Sequence, residues 1–222
     1  MTKTILAISI AAVLAIGAFV LPIGVADAVG SFLDVNRAAI ITDSSEFEKA
    51  GFFTGTHVPT DGSEGAFGYG IISDAGLEAI AVSTTHAGVL DSEAQADVND
   101  PVFHNHYVAL QHSIDPETGE VIGTGLCPGL EIRDITFQEP GDVDVKNKKV
   151  VMEDVPYYFA GTHSLAPELN INFLADGNVG AAVSFTIDPV DATGNTNPND
   201  IQAVCINDVE ATDNLRVRAI ND

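Results

Sequence analysis

The stretch VFHNHYVAL, residues 102–110, decides the fold because its side chains alternate as those of a β-strand do. Successive side chains of a strand point to opposite faces, so His104, His106, Val108 and Leu110 share one face. Two imidazoles therefore lie at the polar end of an otherwise apolar surface, which we expect to face inward. Such an end of an apolar cavity is where a set of ligating side chains belongs.

The rest of the chain continues the strand pattern. Short stretches rich in Val, Ile, Phe, Thr and Tyr are separated by clusters of Gly, Pro, Asn and Asp. This spacing predicts an all-β, single-domain antiparallel sandwich or barrel. Only two short turns of helix are expected, at 46–50 after Ser44 or Ser45 and at 92–95. The predicted strands are 65–73, 77–86, 102–112, 120–123, 131–138, 142–145, 149–155, 169–174, 180–187, 201–206 and 215–220.

Residues 1–28 form a separate segment. Lys3 precedes an apolar run from Ile5 to Val25, and Ala26-Asp27-Ala28 has the small-residue pattern of a cleavage site. This combination predicts a signal peptide and places the protein outside the cell or in its envelope. Since a run of about 20 apolar residues can also cross a bilayer as a helix, the segment is either cleaved or kept as a membrane anchor. In both cases residues 29–222 form a single β-rich exported domain.

The exported domain is strongly acidic. It keeps 8 of the 9 Lys and Arg residues and 31 of the 32 Asp and Glu residues, for a formal net charge of −23. Nucleic acids and anionic membrane surfaces would be repelled, so we exclude both as simple partners. Envelope proteins remain as partners, and the oligomeric state is left open. Lys146, Lys148 and Lys149 form a basic group whose acidic neighbours predict a locally neutralised hairpin tip.

The two cysteines, Cys127 and Cys205, both lie in the exported domain. An oxidising compartment allows them to pair, which predicts a structural disulfide. The alternative is that their thiolates bind a metal ion, but neither has the close cysteine or histidine neighbour typical of such sites.

The histidines are the best chemical clue in the chain. His104 and His106 present two neutral imidazoles on one face, and such a pair can bind one metal ion. His86 ends the preceding predicted strand, and antiparallel pairing of the two strands would bring it beside His104. His163 follows a later predicted strand and is the fourth candidate ligand.

The other histidines rank lower. His57 is a reserve ligand, whereas His112 lies six residues beyond His106, roughly 20 Å away along a strand. A set of three or four imidazoles favours copper or zinc, and iron becomes suitable if a carboxylate joins, with Asp91 and Glu93 nearest in sequence. The alternative interpretation is that His-x-His is a short, common pattern and that these side chains serve only in packing.

The His104-x-His106 element resembles the first motif of the cupin barrels, where His-x-His is followed by Glu and later by another His. Gln111 stands where that Glu would be, and His163 lies downstream at a suitable distance in sequence. The resemblance implies a β-barrel with a metal site. The family's leading Gly is missing, and Gln111 is expected to face away from the two histidines, so the motif is incomplete.

Two further resemblances are weaker. The strand-borne His-x-His is similar to that of copper–zinc dismutase-like sandwiches, but the further ligand spacing of that family is missing. The leader and the acidic domain resemble, in style, exported proteins of marine ammonia-oxidising archaea, which would favour copper.

Two functions follow as expectations. The first is an exported β-domain that binds copper or zinc through His86, His104, His106 and His163, for metal handling or redox chemistry. The alternative is a non-catalytic envelope or adhesion module without a metal. The sequence contains no Gly-x-Ser-x-Gly, phosphate-binding loop or His-Glu-x-x-His motif, so no catalytic residue is assigned and enzymatic activity is left open.

Overall fold

The computed structural model describes residues 31–43, 46–73, 76–86, 101–136, 139–161, 169–172, 179–197 and 200–220. The predicted leader, the predicted turn at 92–95 and His163 lie outside these ranges. Within them, no helix has the length and apolar character needed to span a bilayer. The regular elements are β1 (Val35–Thr42), β2 (Glu46–Thr54), β3 (Ala66–Ser73), a 3₁₀ turn (Gly76–Glu78), β4 (Ile80–His86), β5 (His104–His112), β6 (Leu130–Ile135), β7 (Asp142–Lys146), β8 (Lys149–Pro156), β9 (Tyr158–Gly161), β10 (Leu169–Asn172), β11 (Val179–Val190), β12 (Ala203–Ala211) and β13 (Leu215–Ala219).

Six antiparallel strands close into a barrel in the order β11-β12-β6-β5-β4-β3. Alternate residues of each strand point inward and form an apolar core, which includes Val82, Val108, Leu110 and Phe185. Gly68 of β3 leaves space for this core, since a Cβ there would come within 2.9 Å of the Phe185 ring.

A second layer packs against the outside of the barrel. It is a five-stranded sheet in the order β13-β1-β2-β8-β7, and a separate pair is formed by β9 and β10. The inner face of the sheet contributes Phe47, Phe52 and Met152 to a core shared with Tyr69 and Tyr107 of the barrel. The fold therefore combines a barrel and a sandwich, and the all-β prediction is confirmed. The parallel pairing of β1 with β13 departs from the expected antiparallel pattern.

The prediction of a helical turn at 46–50 is wrong, because these residues begin strand β2. The carboxylate of Asp43 accepts a hydrogen bond from the Glu46 amide at 2.8 Å, a contact that also caps helices. Here it closes the turn of the β1–β2 hairpin. Phe47 and Ala50 then enter the core between the layers, and β2 pairs with β1 on one side and β8 on the other.

The predicted disulfide is confirmed between Cys127 and Cys205, with an S–S distance of 2.05 Å. It joins the loop before β6 to strand β12. Both cysteines are buried in a small cluster with Val190 and Ala203, against which Leu126 packs. The bond therefore ties the loop to the barrel wall and leaves no thiolate at either cysteine for a metal.

We expect the double variant Cys127→Ser/Cys205→Ser to lose stability because the disulfide closes a sequence separation of 78 residues. The chain-entropy model gives a loss of about 4 kcal/mol in the free energy of unfolding. Urea unfolding of the oxidised chain and of the variant measures this difference. The expectation fails if the variant unfolds at the same urea concentration as the oxidised chain, or if reductant destabilises the variant as much as it destabilises the natural chain.

Candidate functional site

His104 and His106 begin strand β5 and point into the barrel. In the antiparallel register Thr84 lies opposite His104 and Val82 opposite His106. Since Val82 belongs to the barrel core, the two imidazoles share its inward face. They are 5% and 2% exposed, respectively. The alternation of the sequence thus predicted correctly which face carries the two rings.

The two imidazole rings are in contact and one of them is held in a fixed orientation. Their centroids are 4.6 Å apart at an interplanar angle of 82°. The Nδ1 atom of His106 lies 2.8 Å from the backbone carbonyl oxygen of Thr136. A carbonyl oxygen only accepts, so Nδ1 carries the proton and Nε2 of the neutral ring keeps its lone pair. Metal-binding histidines are commonly oriented by such a bond from the nitrogen that does not bind the metal.

Thr136 is itself fixed against strand β5. Its backbone amide donates to the Tyr107 carbonyl at 2.9 Å, and its side-chain oxygen accepts from the Tyr107 amide at 3.0 Å. The Nε2 atoms of His104 and His106 are buried within the same end of the barrel. The backbone therefore favours the tautomer of His106 in which Nε2 is the nitrogen able to bind a metal ion.

His86 lies at the same end of the barrel. The expected antiparallel pairing of its strand with β5 is present, and Thr84 opposite His104 places His86 two residues further along β4. On the other side of β4, His86 pairs with Ala66 of β3, a residue of the barrel core. The side chain of His86 is outside the described part of the structure, so its role as a ligand stays a prediction.

The remaining candidate histidines do not join this pair among the described residues. His57 lies in an exposed loop, and His112 lies at the opposite end of β5 from His104. The described ranges contain no cluster of three or more His, Cys, Asp or Glu side chains suited to a metal ion. At this end of the barrel the described residues supply the imidazoles of His104 and His106. His163 lies outside the described ranges, so its role as a ligand stays a prediction.

A buried carboxylate, Glu131, is not among the site residues predicted from the sequence. It is 1% exposed and lies opposite Gln111 on the outer side of the barrel, facing away from the histidines. Its carboxylate accepts hydrogen bonds from the Gln111 side chain at 2.7 Å, from the Thr124 amide at 2.8 Å and from the Thr124 hydroxyl. The sequence signal that could have found it is an acidic residue at the first position of the predicted strand 131–138.

The hydrogen bonds decide the charge of Glu131. Burial alone raises the pKa of its carboxyl, but the bonds from Thr124, Gln111 and Ser113 together outweigh burial and hold the pKa below its ordinary value. The ionised carboxylate thereby fixes the loop at Thr124 to the barrel wall. Glu131 also lies opposite Cys205, so the carboxylate and the disulfide hold the same corner of the barrel.

We expect Glu131→Gln to lower the free energy of unfolding by about 2 kcal/mol at pH 7, because charge-assisted hydrogen bonds are lost. The folded carboxyl has the lower pKa, so its contribution is complete above the ordinary value of about 4.3 and disappears as the pH falls through the folded value. Urea unfolding at neutral and acid pH should show the difference between the natural chain and the variant shrinking with acid. The exposed Glu120→Gln is the control, and a pH-independent difference for Glu131→Gln would refute this account.

Gly123 is required by the same carboxylate. A Cβ at this position would lie 1.8 Å from Oε1 of Glu131 and 2.7 Å from Nε2 of Gln111. Because several hydrogen bonds hold the carboxylate, it cannot move without losing them.

We expect Gly123→Ala to destabilise the chain by about 2 kcal/mol in urea unfolding. Gly129→Ala is the matched control, since a Cβ there meets no atom within 4 Å, and equal effects of the two substitutions would contradict the expectation.

No family model matches this chain, and comparisons with curated proteins and with solved structures find no significant match. Its function is therefore argued from the residues of the site.

Proposed function

We propose that this chain binds a transition metal ion, copper or zinc, at the end of the barrel through His104 and His106. His86 and His163 are the further ligands, and the bound ion serves metal handling or redox chemistry outside the cell. The observation that carries the proposal is the orientation of His106. Its Nδ1–H donates to the Thr136 carbonyl at 2.8 Å, which leaves the lone pair of Nε2 as the donor to a metal.

The position of the pair supports ligation in a second way. His104 and His106 lie two residues apart on one face of β5 and their ring centroids are 4.6 Å apart, which supports binding of one ion by both imidazoles. Side chains that are already held in place lose little conformational entropy when they bind. The formal net charge of −23 also raises the concentration of cations around the chain.

The chemistry of the ligands narrows the choice of metal. Cys127 and Cys205 are bonded to each other, which removes thiolate from the set of ligands. Among the described residues, His104 and His106 supply imidazole donors at this end of the barrel, and imidazoles suit zinc and copper. Glu131 is not a candidate ligand, since it lies on the outer side of the barrel and is bound by Gln111 and Thr124.

We expect the chain, purified without an affinity tag, to contain about one copper or zinc ion. His104→Ala/His106→Ala should lose this ion, because it removes both imidazoles of the pair. Elemental analysis measures the content, and a rise in melting temperature on adding the metal to the natural chain, but not to the variant, gives an independent readout.

His57→Ala/His112→Ala is the matched control, because both residues lie away from the barrel end. Retention of the ion in this control and its loss in the His104/His106 variant would support the site. Absence of metal from the natural chain, even after reconstitution with either metal, would overturn the proposal.

A second candidate is the envelope or adhesion module without a metal. It is favoured by the apolar filling of the barrel beside the histidines, where Val82 and Val108 are 2% and 5% exposed. In that case the edge-to-face contact of His104 and His106 is a packing contact. This candidate predicts that the double variant changes stability but that neither form contains metal.

A further inference from the structure

The outward face of the five-stranded sheet carries most of the basic residues of this acidic chain. Residues of β1 and β2 that alternate with the core residues Ala38, Ile40, Ala50 and Phe52 point away from the barrel. The register extends this face across all five strands. Of the nine Lys and Arg residues in the chain, six lie at these outward positions: Arg37, Lys49, Lys146, Lys149, Arg216 and Arg218.

One end of this face is basic. The register aligns Arg37, Phe53, Lys149 and Lys146 in a single row across β1, β2, β8 and β7. The Arg37 guanidinium lies 4.0 Å from the centroid of the Phe53 ring, and the Lys149 ammonium lies 5.7 Å from it. Lys146 pairs with Asp144 at 2.8 Å. This row, the basic end, therefore presents two cations beside an aromatic ring and a third cation, Lys146, next to Lys149.

The other end of the face is acidic. Glu46, Glu48 and Asp154 lie where β2 and β8 meet beyond the Lys49–Glu153 ion pair, which has a length of 2.6 Å. Burial raises the pKa of Glu46, and repulsion by Asp43, then by Asp154 and Glu48, raises it further. Glu48 and Asp154 are also close enough to Lys49 to raise its pKa, after the larger effect of Glu153. Glu46, Glu48 and Asp154 form the acidic end.

We propose that two copies of this chain associate through the outward face of the five-stranded sheet, about a twofold axis. The basic end of each copy then meets the acidic end of the other. A twofold interface brings the same surface of both molecules together, so it requires a surface that is complementary to itself. Between the two ends, the cations Arg216, Arg218 and Lys49 are matched by the carboxylates Asp144, Glu153 and Asp142 at the same register levels. The face is therefore net positive at one end and net negative at the other, which meets this requirement.

The dimensions of the face agree with a contact of this kind. Five strands at about 4.8 Å spacing give a width of about 24 Å, and the distance from Phe53 to Glu48 along β2 is about 17 Å at 3.3 Å per residue. This area of about 400 Å² on each copy is half the standard size of about 800 Å² per partner, so we expect a weak, reversible dimer. A long polyanion would extend past the basic end and meet the acidic remainder of the chain, which favours a compact, self-complementary partner.

Sedimentation velocity of the full chain tests this proposal. We expect a concentration-dependent dimer at about 0.15 M salt that dissociates at about 1 M, where the Debye length falls to about 3 Å. Lys146→Glu/Lys149→Glu reverses the net charge of the basic end, and Glu46→Lys/Glu48→Lys reverses that of the acidic end. Each variant alone should dimerise at least about tenfold more weakly, because like charges now meet twice in each dimer.

Mixing the two variants gives the decisive result. In a mixed pair the reversed ends meet each other and the natural ends meet each other, so the heterodimer should form with near-natural affinity. Arg133→Glu, on the outer wall of the barrel, is the control and should dimerise as the natural chain does. Circular dichroism verifies that each variant is folded. A monomer at every concentration, or two variants that do not associate when mixed, would overturn the proposal, as would a natural chain that binds polyglutamate at this face and remains monomeric.

Discussion

The double burial of strands β3, β4 and β5 is the constraint on which the rest of the structure depends. Each of them must fill the barrel with one set of alternate residues and contact the five-stranded sheet with the other. In β5 the inward set includes Val108 and Leu110, and the outward set includes Tyr107, which is fully buried between the layers. A shift of one residue in the register would exchange these sets, so the burial of both faces fixes the strand position.

That constraint also determines what the histidines can do. Because Val108 and Leu110 face inward, His104 and His106 must face inward too, and they reach the end of the barrel close to the chain positions of Thr84 and His86. The carbonyl of Thr136 then sets the tautomer of His106. On the outer wall, Gln111 and Glu131 are directed away from this end by the same alternation, and they fix the loop at Thr124 instead. Strand β5 thus carries the candidate metal-binding histidines on its inner face. Its outer face carries Gln111, which binds the buried carboxylate of Glu131.

Charge is distributed unevenly over the surface, which the net value of −23 conceals. Lys146 and Lys149 were expected to form a locally neutralised tip, and Lys146 does pair with Asp144. The sheet register nevertheless brings Arg37, distant in sequence, into line with these lysines around Phe53. Long-range repulsion between copies is screened within about 8 Å in physiological salt, so short-range contacts at such a face can dominate.

The sequence by itself determined the strand character of the chain, the faces of residues 102–110, the disulfide and the acidic character of the surface. These features follow from local alternation, from composition, and from having only two cysteines to pair. It did not reveal strands β1 and β2: no strand was predicted before residue 65, and Ser44 or Ser45 before residues 46–50 is typical of a helix start. Only the tertiary structure decided the closure of the barrel, the hydrogen bonds of Glu131 and the alignment of Arg37 with Lys149. These depend on which strands become neighbours, and that choice is made by the burial of apolar side chains far apart in the chain.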